Sequence, residues 1–319
     1  MKYAVIGAGA MGRVLGAGLA LGGGEVWFVD PFAAHMKAIQ EQGLAFDFNG
    51  TPHVLHQIQA VTCAAEAQGP VDLILLMVKG IYTRSAVENI KALAGPETLI
   101  LSLQNGIGNL DILEEAGFPA SRLAHGVVDF GATLKAPGSV LCQIKPGQGL
   151  HFGPVDHQIK DVLREAAACW ERGGLLVELL ENVEYKIWYK FAMNCGGNAQ
   201  CALVRTNLSG YLDHPLGRRF CLRIQEEIVQ VANAKGIPLD MEKFIQARQK
   251  PLGPLGMHMP STSQDLLAGK PTEVEFLYGA VCREGKKLGI PTPFNEAMYL
   301  LTKIYEDTYD SPYKQGERK

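Results

Sequence analysis

Through the first half of the chain, short unbroken apolar runs are separated by longer mixed stretches, the pattern of buried parallel strands joined through helices. Residues 3–6 (Tyr-Ala-Val-Ile) form one such run, residues 25–30 (Glu-Val-Trp-Phe-Val-Asp) a second and residues 71–78 (Val-Asp-Leu-Ile-Leu-Leu-Met-Val) a third. Residues 98–102 (Thr-Leu-Ile-Leu-Ser) read as the next strand, and the small residues from Arg13 to Ala20 predict a closely packed helix. Residues 122–150 are β-prone and glycine-rich and are expected to extend the sheet with antiparallel strands; 156–172 predict a helix and 174–180 a last strand. After Glu181 the strand signals fade. Helical spacing takes over at 185–204, 217–235, 241–247, 261–267, 273–288 and 293–305, with a proline- and glycine-rich linker at 250–260 and a polar end from 307 expected to fray. The order predicts an α/β chain: a doubly wound sheet over residues 1–181, then an all-helical domain over 182–319.

Composition narrows the function classes. A chain of 319 residues, 47% apolar and 20% charged with net charge −3, suits a soluble globular protein with two cores. It has no basic run or Lys/Arg face interleaved with aromatics, so nucleic acid is not an expected partner. The longest wholly apolar run, residues 73–78, is far short of the ~20 residues that cross a bilayer, so no membrane span is expected. Met1 and Lys2 lead straight into the first strand without a signal-peptide layout. Seven cysteines without a C-x-x-C pair are the pattern of reduced thiols, which predicts a cytoplasmic protein. His53 and His56 lack a nearby third ligand, so no metal site is expected.

The first strand runs into Gly7-Ala8-Gly9-Ala10-Met11-Gly12, a G-x-G-x-x-G turn in the strand–turn–helix setting of a Rossmann-type dinucleotide cradle. Gly7 permits the tight turn, Gly9 lets the backbone approach a pyrophosphate, and Gly12 lets helix and strand pack closely. The helix start then offers N–H groups and its positive end to the phosphates. Asp30 ends the second strand 18 residues after Gly12, where a carboxylate accepts hydrogen bonds from the adenosine ribose. An acid there repels a 2′-phosphate, and no Lys or Arg follows until Lys37, so NAD(H) is favoured. Arg13 is close enough in sequence to reach a phosphate, which keeps NADP(H) open.

Ligands of open α/β sheets bind at the carboxyl ends of the strands. Lys79 follows the third strand and Asn105 the fourth, so either is placed to meet cofactor or substrate; a solvated loop lysine and a turn-forming Asn-Gly are the plainer alternatives. Farther on, Lys190, Asn194 and Asn198 recur at i, i+4 and i+8, which puts an ammonium and two carboxamides on one helical face among Trp, Phe, Met, Cys and Ala. A solvent-facing stripe has the same spacing. Against it, lone Asn is a poor interior helix residue, and the adjacent Gly196 and Gly197 suggest that something approaches the backbone closely there. A lysine among apolar neighbours is the kind that serves as a proton donor. Ser261 and Gln264 have capping-box spacing, and Thr272-Glu273 opens the following helix, so local rules alone single out neither Ser261 nor Glu273.

Taken together, the sequence resembles the ketopantoate reductase (2-dehydropantoate 2-reductase) family. The likeness rests on G-A-G-A-M-G at 7–12, V-K at 78–79, Q-N-G-I-G at 104–108, W-Y-K-x-x-x-N-x-x-x-N at 188–198, S-T-S-Q-D at 261–265 and T-E-V-E at 272–275, in order along most of the chain. It implies a Rossmann-type N-terminal domain, a helical C-terminal domain and an active site in the cleft between them. It implies hydride transfer from a nicotinamide cofactor to the C2 carbonyl of a 2-oxo acid, ketopantoate giving pantoate. Lys190 would be the catalytic acid/base, and Asn194, Asn198, Ser261 and Glu273 would bind substrate, with Glu273 accepting from a substrate hydroxyl or orienting Lys190. Lys79 and Asn105 would lie at the cofactor and cleft. Asp30 departs from the basic residue many members carry and suits NAD-dependent D-2-hydroxyacid dehydrogenases of the D-mandelate type in the same superfamily. A dinucleotide-sensing protein without chemistry is the rival of another class, and the Lys190–Asn198 stripe argues against it. Helical domains of this kind often pair, so a homodimer is an open expectation.

Overall fold

The structure, a computed structural model, describes residues 1–310, the side chains of Pro254 and Leu255 excepted. The tail expected to fray therefore lies, from residue 311 on, outside the described residues. By internal contacts the chain falls into two units: residues 1–104 with 108–186, and residues 105–107 with 187–319.

The first unit carries strands β1 (Lys2–Ile6), β2 (Glu25–Val29), β3 (Leu44–Phe48), β4 (Thr51–Leu55), β5 (Gln59–Val61), β6 (Val71–Leu76), β7 (Ala94–Ser102), β8 (Leu123–Val128), β9 (Gly131–Ala136), β10 (Ser139–Gln143), β11 (Leu150–Pro154) and β12 (Val177–Leu179). Its helices are α1 (Ala10–Leu21), α2 (Ala33–Gln42), α3 (Thr83–Leu93), α4 (Asn109–Glu115) and α5 (Asp161–Arg172). The main sheet has the order β12-β11-β8-β7-β6-β1-β2-β5. It is parallel from β8 through β5, with β11 antiparallel to β8 and β12 parallel to β11. The strands alternate their side chains between two cores. Tyr3, Val5, Phe28, Leu73 and Leu75 pack with Val14, Leu15 and Leu19 of α1 and Trp170 of α5, while Ala4, Ile6, Val29, Ile74 and Leu76 pack with Ala86, Ile90 and Leu93 of α3. Burial on both faces is why these strands read as unbroken apolar runs.

One expectation fails in this region. Residues 122–150 do not all extend the main sheet: β9 and β10 leave it and join β3 and β4 in a second sheet of order β4-β3-β10-β9. The physical reason is α1, in which every residue from Gly12 to Ala20 is buried. A helix buried on all sides needs cover on all sides. The second sheet supplies it: Leu44, Phe46, Val140 and Cys142 share one core with Val14 and Ala17.

The second unit is helical: α6 (Glu184–Cys195, whose first turn belongs to the first unit), α7 (Gln200–Leu203), α8 (Leu208–Leu212), α9 (Pro215–Ala234), α10 (Met241–Ala247), α11 (Ser261–Leu267), α12 (Tyr278–Leu288) and α13 (Pro293–Asp307). Helix α9 buries Cys221, Ile224, Ile228 and Val231. Its buried Glu227 accepts from Phe294 N (2.8 Å), Asn295 N (3.0 Å) and Asn295 Nδ2 (2.7 Å), so a carboxylate sits on the positive end of α13. The single helix expected over 185–204 is broken after Cys195. The glycines responsible serve internal packing. A Cβ on Gly196 would lie 2.7 Å from Cys221 Sγ, and one on Gly197 would lie 2.7 Å from Leu208 Cδ1. What approaches the backbone there is α9 and α8.

Candidate active site

The glycine loop joins β1 to α1 with a separate reason for each glycine. Gly7 has φ +100°, and a Cβ on it would lie 2.5 Å from Val78 N at the end of β6. A Cβ on Gly12 would lie 2.1 Å from Gly7 O, so the helix rests directly on the loop. A Cβ on Gly9 meets nothing within 4 Å. Gly9 is thus small towards open space, at the start of a helix that no side chain caps. Ala10, Met11 and Gly12 form the first turn of α1, whose positive end faces that space. Asp30 follows β2 and is held by two backbone donors, Ala8 N to Oδ2 (2.8 Å) and Phe32 N to Oδ1 (2.9 Å). Each carboxylate oxygen keeps a lone pair for another donor. A cradle that a Cβ at Gly9 would fill, beside a carboxylate pinned to the same loop, fits the pyrophosphate and ribose of a dinucleotide.

Lys79, partly buried, follows β6 at the same edge, and its carbonyl accepts from Tyr82 N (2.8 Å). Beside it lies a buried polar chain that sequence reasoning missed. Gln104 Nε2 donates to Val78 O (2.8 Å) and Thr83 Oγ1 (2.7 Å), Ser102 Oγ donates to Gln104 Oε1 (2.9 Å), and Thr83 Oγ1 donates to Asn109 Oδ1 (3.2 Å). This network ties the carboxyl ends of β6 and β7 together. The nearest sequence signal was a glutamine two residues past the end of β7.

In the second unit, Lys190 and Asn194 lie on α6 and are partly exposed, while Phe191, Ala192 and Cys195 are buried. Asn198 lies beyond the helix end, yet its N–H still bonds Asn194 O (2.9 Å), so the spacing of four carries through the break. Ser263, fully buried, fixes this turn: its hydroxyl donates to Asn198 O (2.5 Å) and accepts from Ala202 N (3.0 Å). Nothing in the Ser-Thr-Ser triplet distinguished Ser263 from Ser261. The capping box expected at Ser261 does not form. Pro260 is the cap residue, Gln264 Nε2 turns back to Met259 O (2.8 Å), and the exposed Ser261 caps nothing.

Glu273, partly buried, does not open a long helix either. It precedes a single 3-10 turn, Val274–Phe276, before α12, and its carbonyl accepts from Phe276 N (2.9 Å). Glu273 is the cap residue of that turn but its side chain makes no cap bond; the Thr272 hydroxyl instead accepts from Val274 N (3.2 Å). Asn105–Ile107 docks on this turn: Ile107 N bonds Phe276 O (3.0 Å), and Gly106, at φ +82°, would bring a Cβ to 2.2 Å from that oxygen. The structure therefore docks the short segment that begins at Asn105 on the turn that follows Glu273, 168 residues later in the chain. Among the described residues no cluster of three or more His, Cys, Asp or Glu side chains has metal-site geometry, and no helix is long and apolar enough to cross a membrane.

Two histidines of the first unit have shifted equilibria. His151 bonds Glu178 through Nδ1 (2.6 Å) and Asp129 through Nε2 (2.7 Å). With a carboxylate on each ring nitrogen, its pKa is raised against the opposing effect of burial. His125 is pushed down to about 4 by burial and by the charge of His157, so its 3.4 Å contact with Glu184 joins a neutral imidazole to a carboxylate.

Comparison with known proteins agrees in extent with this architecture. Residues 3–157 match the family described as "Ketopantoate reductase PanE/ApbA", and residues 182–306 match "Ketopantoate reductase PanE/ApbA C terminal". The chain is 28% identical over 317 residues to the 2-dehydropantoate 2-reductase of Lactococcus lactis subsp. lactis (strain IL1403), covering 96% of this chain and 98% of the relative. It is 31% identical over 296 residues to the 2-dehydropantoate 2-reductase of Streptococcus pyogenes serotype M18 (strain MGAS8232), covering 92% and 94%. Among solved structures it is similar to the ternary structure of D-mandelate dehydrogenase with NADH and anilino(oxo)acetate, at TM-score 0.88 and 29% identity over 97% of this chain and 100% of the other.

Proposed function

The chain belongs to the ketopantoate reductase family, and from that membership we propose that it reduces the C2 carbonyl of a 2-oxo acid, with 2-dehydropantoate as substrate and pantoate as product. The observation that carries this reading is the helical register of Lys190, Asn194 and Asn198, a proton donor and two carboxamides on a partly buried face. A sensor of dinucleotides has no use for that donor.

A bound dihydronicotinamide supplies the hydride. The remaining work falls to the chain's own groups. The first turn of α1 holds the pyrophosphate and Asp30 accepts from the ribose hydroxyls, which favours NAD(H) over NADP(H). Lys190 Nζ stabilises the negative charge that grows on the carbonyl oxygen and delivers its proton there, a contribution typically of about 10²–10⁴-fold. Asn194 and Asn198 hold the oxygen functions of the substrate in the plane required for attack. Ser261, exposed and engaged in no cap, hydrogen-bonds the carboxylate. Glu273 accepts from a substrate hydroxyl or, where there is none, orients Lys190. Lys79 contacts the cofactor, and Asn105 lies at cofactor and substrate.

A second reading has its own support in Asp30 and in the similarity to an NADH-bound D-mandelate dehydrogenase: an NAD-dependent D-2-hydroxyacid dehydrogenase. Under it the same lysine serves an aryl-substituted 2-oxo acid. The deciding assay follows oxidation of NADH and of NADPH as ketopantoate, phenylglyoxylate and simpler 2-oxo acids are added singly. Turnover with ketopantoate alone establishes the first reading, turnover of NADH with the others but not ketopantoate establishes the second, and cofactor binding without turnover on any of them defeats both. We further place the enzyme in the cytoplasm, on its seven unpaired cysteines, five of them buried. We propose a homodimer as well, supported by the exposed Phe294, Leu301 and Ile304 along α13. Light scattering in solution tests that assembly.

A further inference from the structure

Arg13 is the one charged residue inside α1, and it is fully buried. Its N–H closes the first helical turn on Gly9 O (3.1 Å), yet Nε, Nη1 and Nη2 have no hydrogen-bond partner. A guanidinium carries five N–H donors and stays charged in proteins. Burial of such a group without acceptors is strongly unfavourable unless a nearby anion or an arriving ligand compensates.

The surroundings show which anion is near. Asp30 is the charge that counters the burial of Arg13, which otherwise pushes the guanidinium pKa down. Asp30 cannot swing aside to relieve a repulsion, because Ala8 N and Phe32 N each hold one of its oxygens. His35 completes the cluster: its Nδ1 is buried without a partner, and it responds to both Arg13 and Asp30. Asp30 is bonded to Ala8 N and Arg13 N to Gly9 O, so the carboxylate and the helical turn that carries the guanidinium are both tied to the glycine loop.

We propose that Arg13 is a specificity-determining residue of the cofactor site: buried in the helical turn that follows the glycine loop to which Asp30 is bonded, its positive charge offsets the carboxylate that would otherwise reject a 2′-phosphate, so that the site binds NADPH as well as NADH. The inference rests on the dinucleotide reading above and adds to it the residue that sets the balance. The glycine motif serves either dinucleotide and Asp30 argues for NADH; the buried guanidinium without hydrogen-bond partners is what the structure adds.

The test is the ratio of dissociation constants for NADPH and NADH, read from nicotinamide fluorescence on the full chain, for wild type, Arg13→Met and Arg13→Lys. Circular dichroism confirms the fold of each. Arg13→Met is expected to raise the ratio about tenfold or more with little change for NADH, because it removes a buried charge while keeping the bulk. Arg13→Lys keeps the charge and is expected to stay near the wild-type ratio. If Arg13→Met does not fold, Arg13→Gln reads the same loss of charge. An equal weakening of both cofactors, an unchanged ratio, or a wild type that binds NADH and excludes NADPH overturns the role of Arg13 and leaves the cofactor reading intact. A wild type that binds neither dinucleotide overturns the cofactor reading, and this inference falls with it.

Discussion

Gly9 and Gly12 share one motif yet answer to different neighbours, and that difference is expected to separate cofactor binding from folding. A methyl on Gly12 would enter the space of Gly7 O, and the clash involves backbone on both sides. Gly12→Ala is therefore expected to lower stability by about 1–3 kcal/mol or more, visible as a lower thermal midpoint. A methyl on Gly9 meets no protein atom. Gly9→Ala is expected to keep the wild-type midpoint and lose dinucleotide affinity in a fluorescence titration; an unchanged affinity would show that the open space beside Gly9 is not where the pyrophosphate lies. Lys190 allows the complementary dissection. Lys190→Ala should bind NADH normally and lose about 10²–10⁴-fold in kcat. Near-wild-type turnover in a folded Lys190→Ala protein would remove it as the proton donor.

Helix α6 and the turn after it show how far an apolar pattern reaches. The i, i+4, i+8 register of the polar stripe was legible from the sequence and persists across the helix end through the Asn198 N to Asn194 O bond. The break itself was not legible, because helical spacing continues through 185–204 while the reason to break lies on α8 and α9, in Leu208, Cys221 and Gln225. Local rules also misjudged the segments at Ser261 and Glu273. Cap patterns name the donors and acceptors nearby in sequence, whereas Gln264 found Met259 O and the Thr272 hydroxyl, not the Glu273 carboxylate, took Val274 N. Ser263 escaped notice for the same reason, since its partners Asn198 and Ala202 are more than sixty residues away. Its two hydrogen bonds anchor the turn that presents Asn198. Ser263→Ala is expected to cost about 1–2 kcal/mol of stability and to raise KM more than it lowers kcat, if Asn198 positions substrate rather than transferring a proton. Steady-state kinetics beside a denaturant titration separates the two effects.

Across the whole molecule, the parallel strands and the glycine turn were readable because burial on both faces writes an unbroken apolar run, and a strand–turn–helix writes its glycines. The second sheet was not, because strand pairing is a long-range choice: β10 lies beside β3, almost a hundred residues earlier, in order to cover α1. Long-range pairing also created the two shifted histidines, and their opposite signs predict a pH optimum for the stability of the first unit. His125 is held neutral, with a folded pKa of about 4 below its unfolded value near 6.5. The unfolded chain binds the extra proton, so the stability this group contributes is complete above about pH 6.5 and is lost as pH falls towards 4. His151 is the reverse case. Asp129 and Glu178 raise its folded pKa, so its contribution is complete below about pH 6.5 and is lost as pH rises through the folded value. Stability should therefore peak where the two windows meet, near pH 6.5. Denaturant unfolding at a series of pH values checks both limbs. His125→Gln should flatten the acid limb between about pH 4 and 6.5, and His151→Gln should be less stable than wild type at mildly acidic pH with a gap that closes towards alkaline pH. If the gap for His151→Gln instead widens with rising pH, then His151 is not an imidazolium held between Asp129 and Glu178, and the raised pKa is wrong.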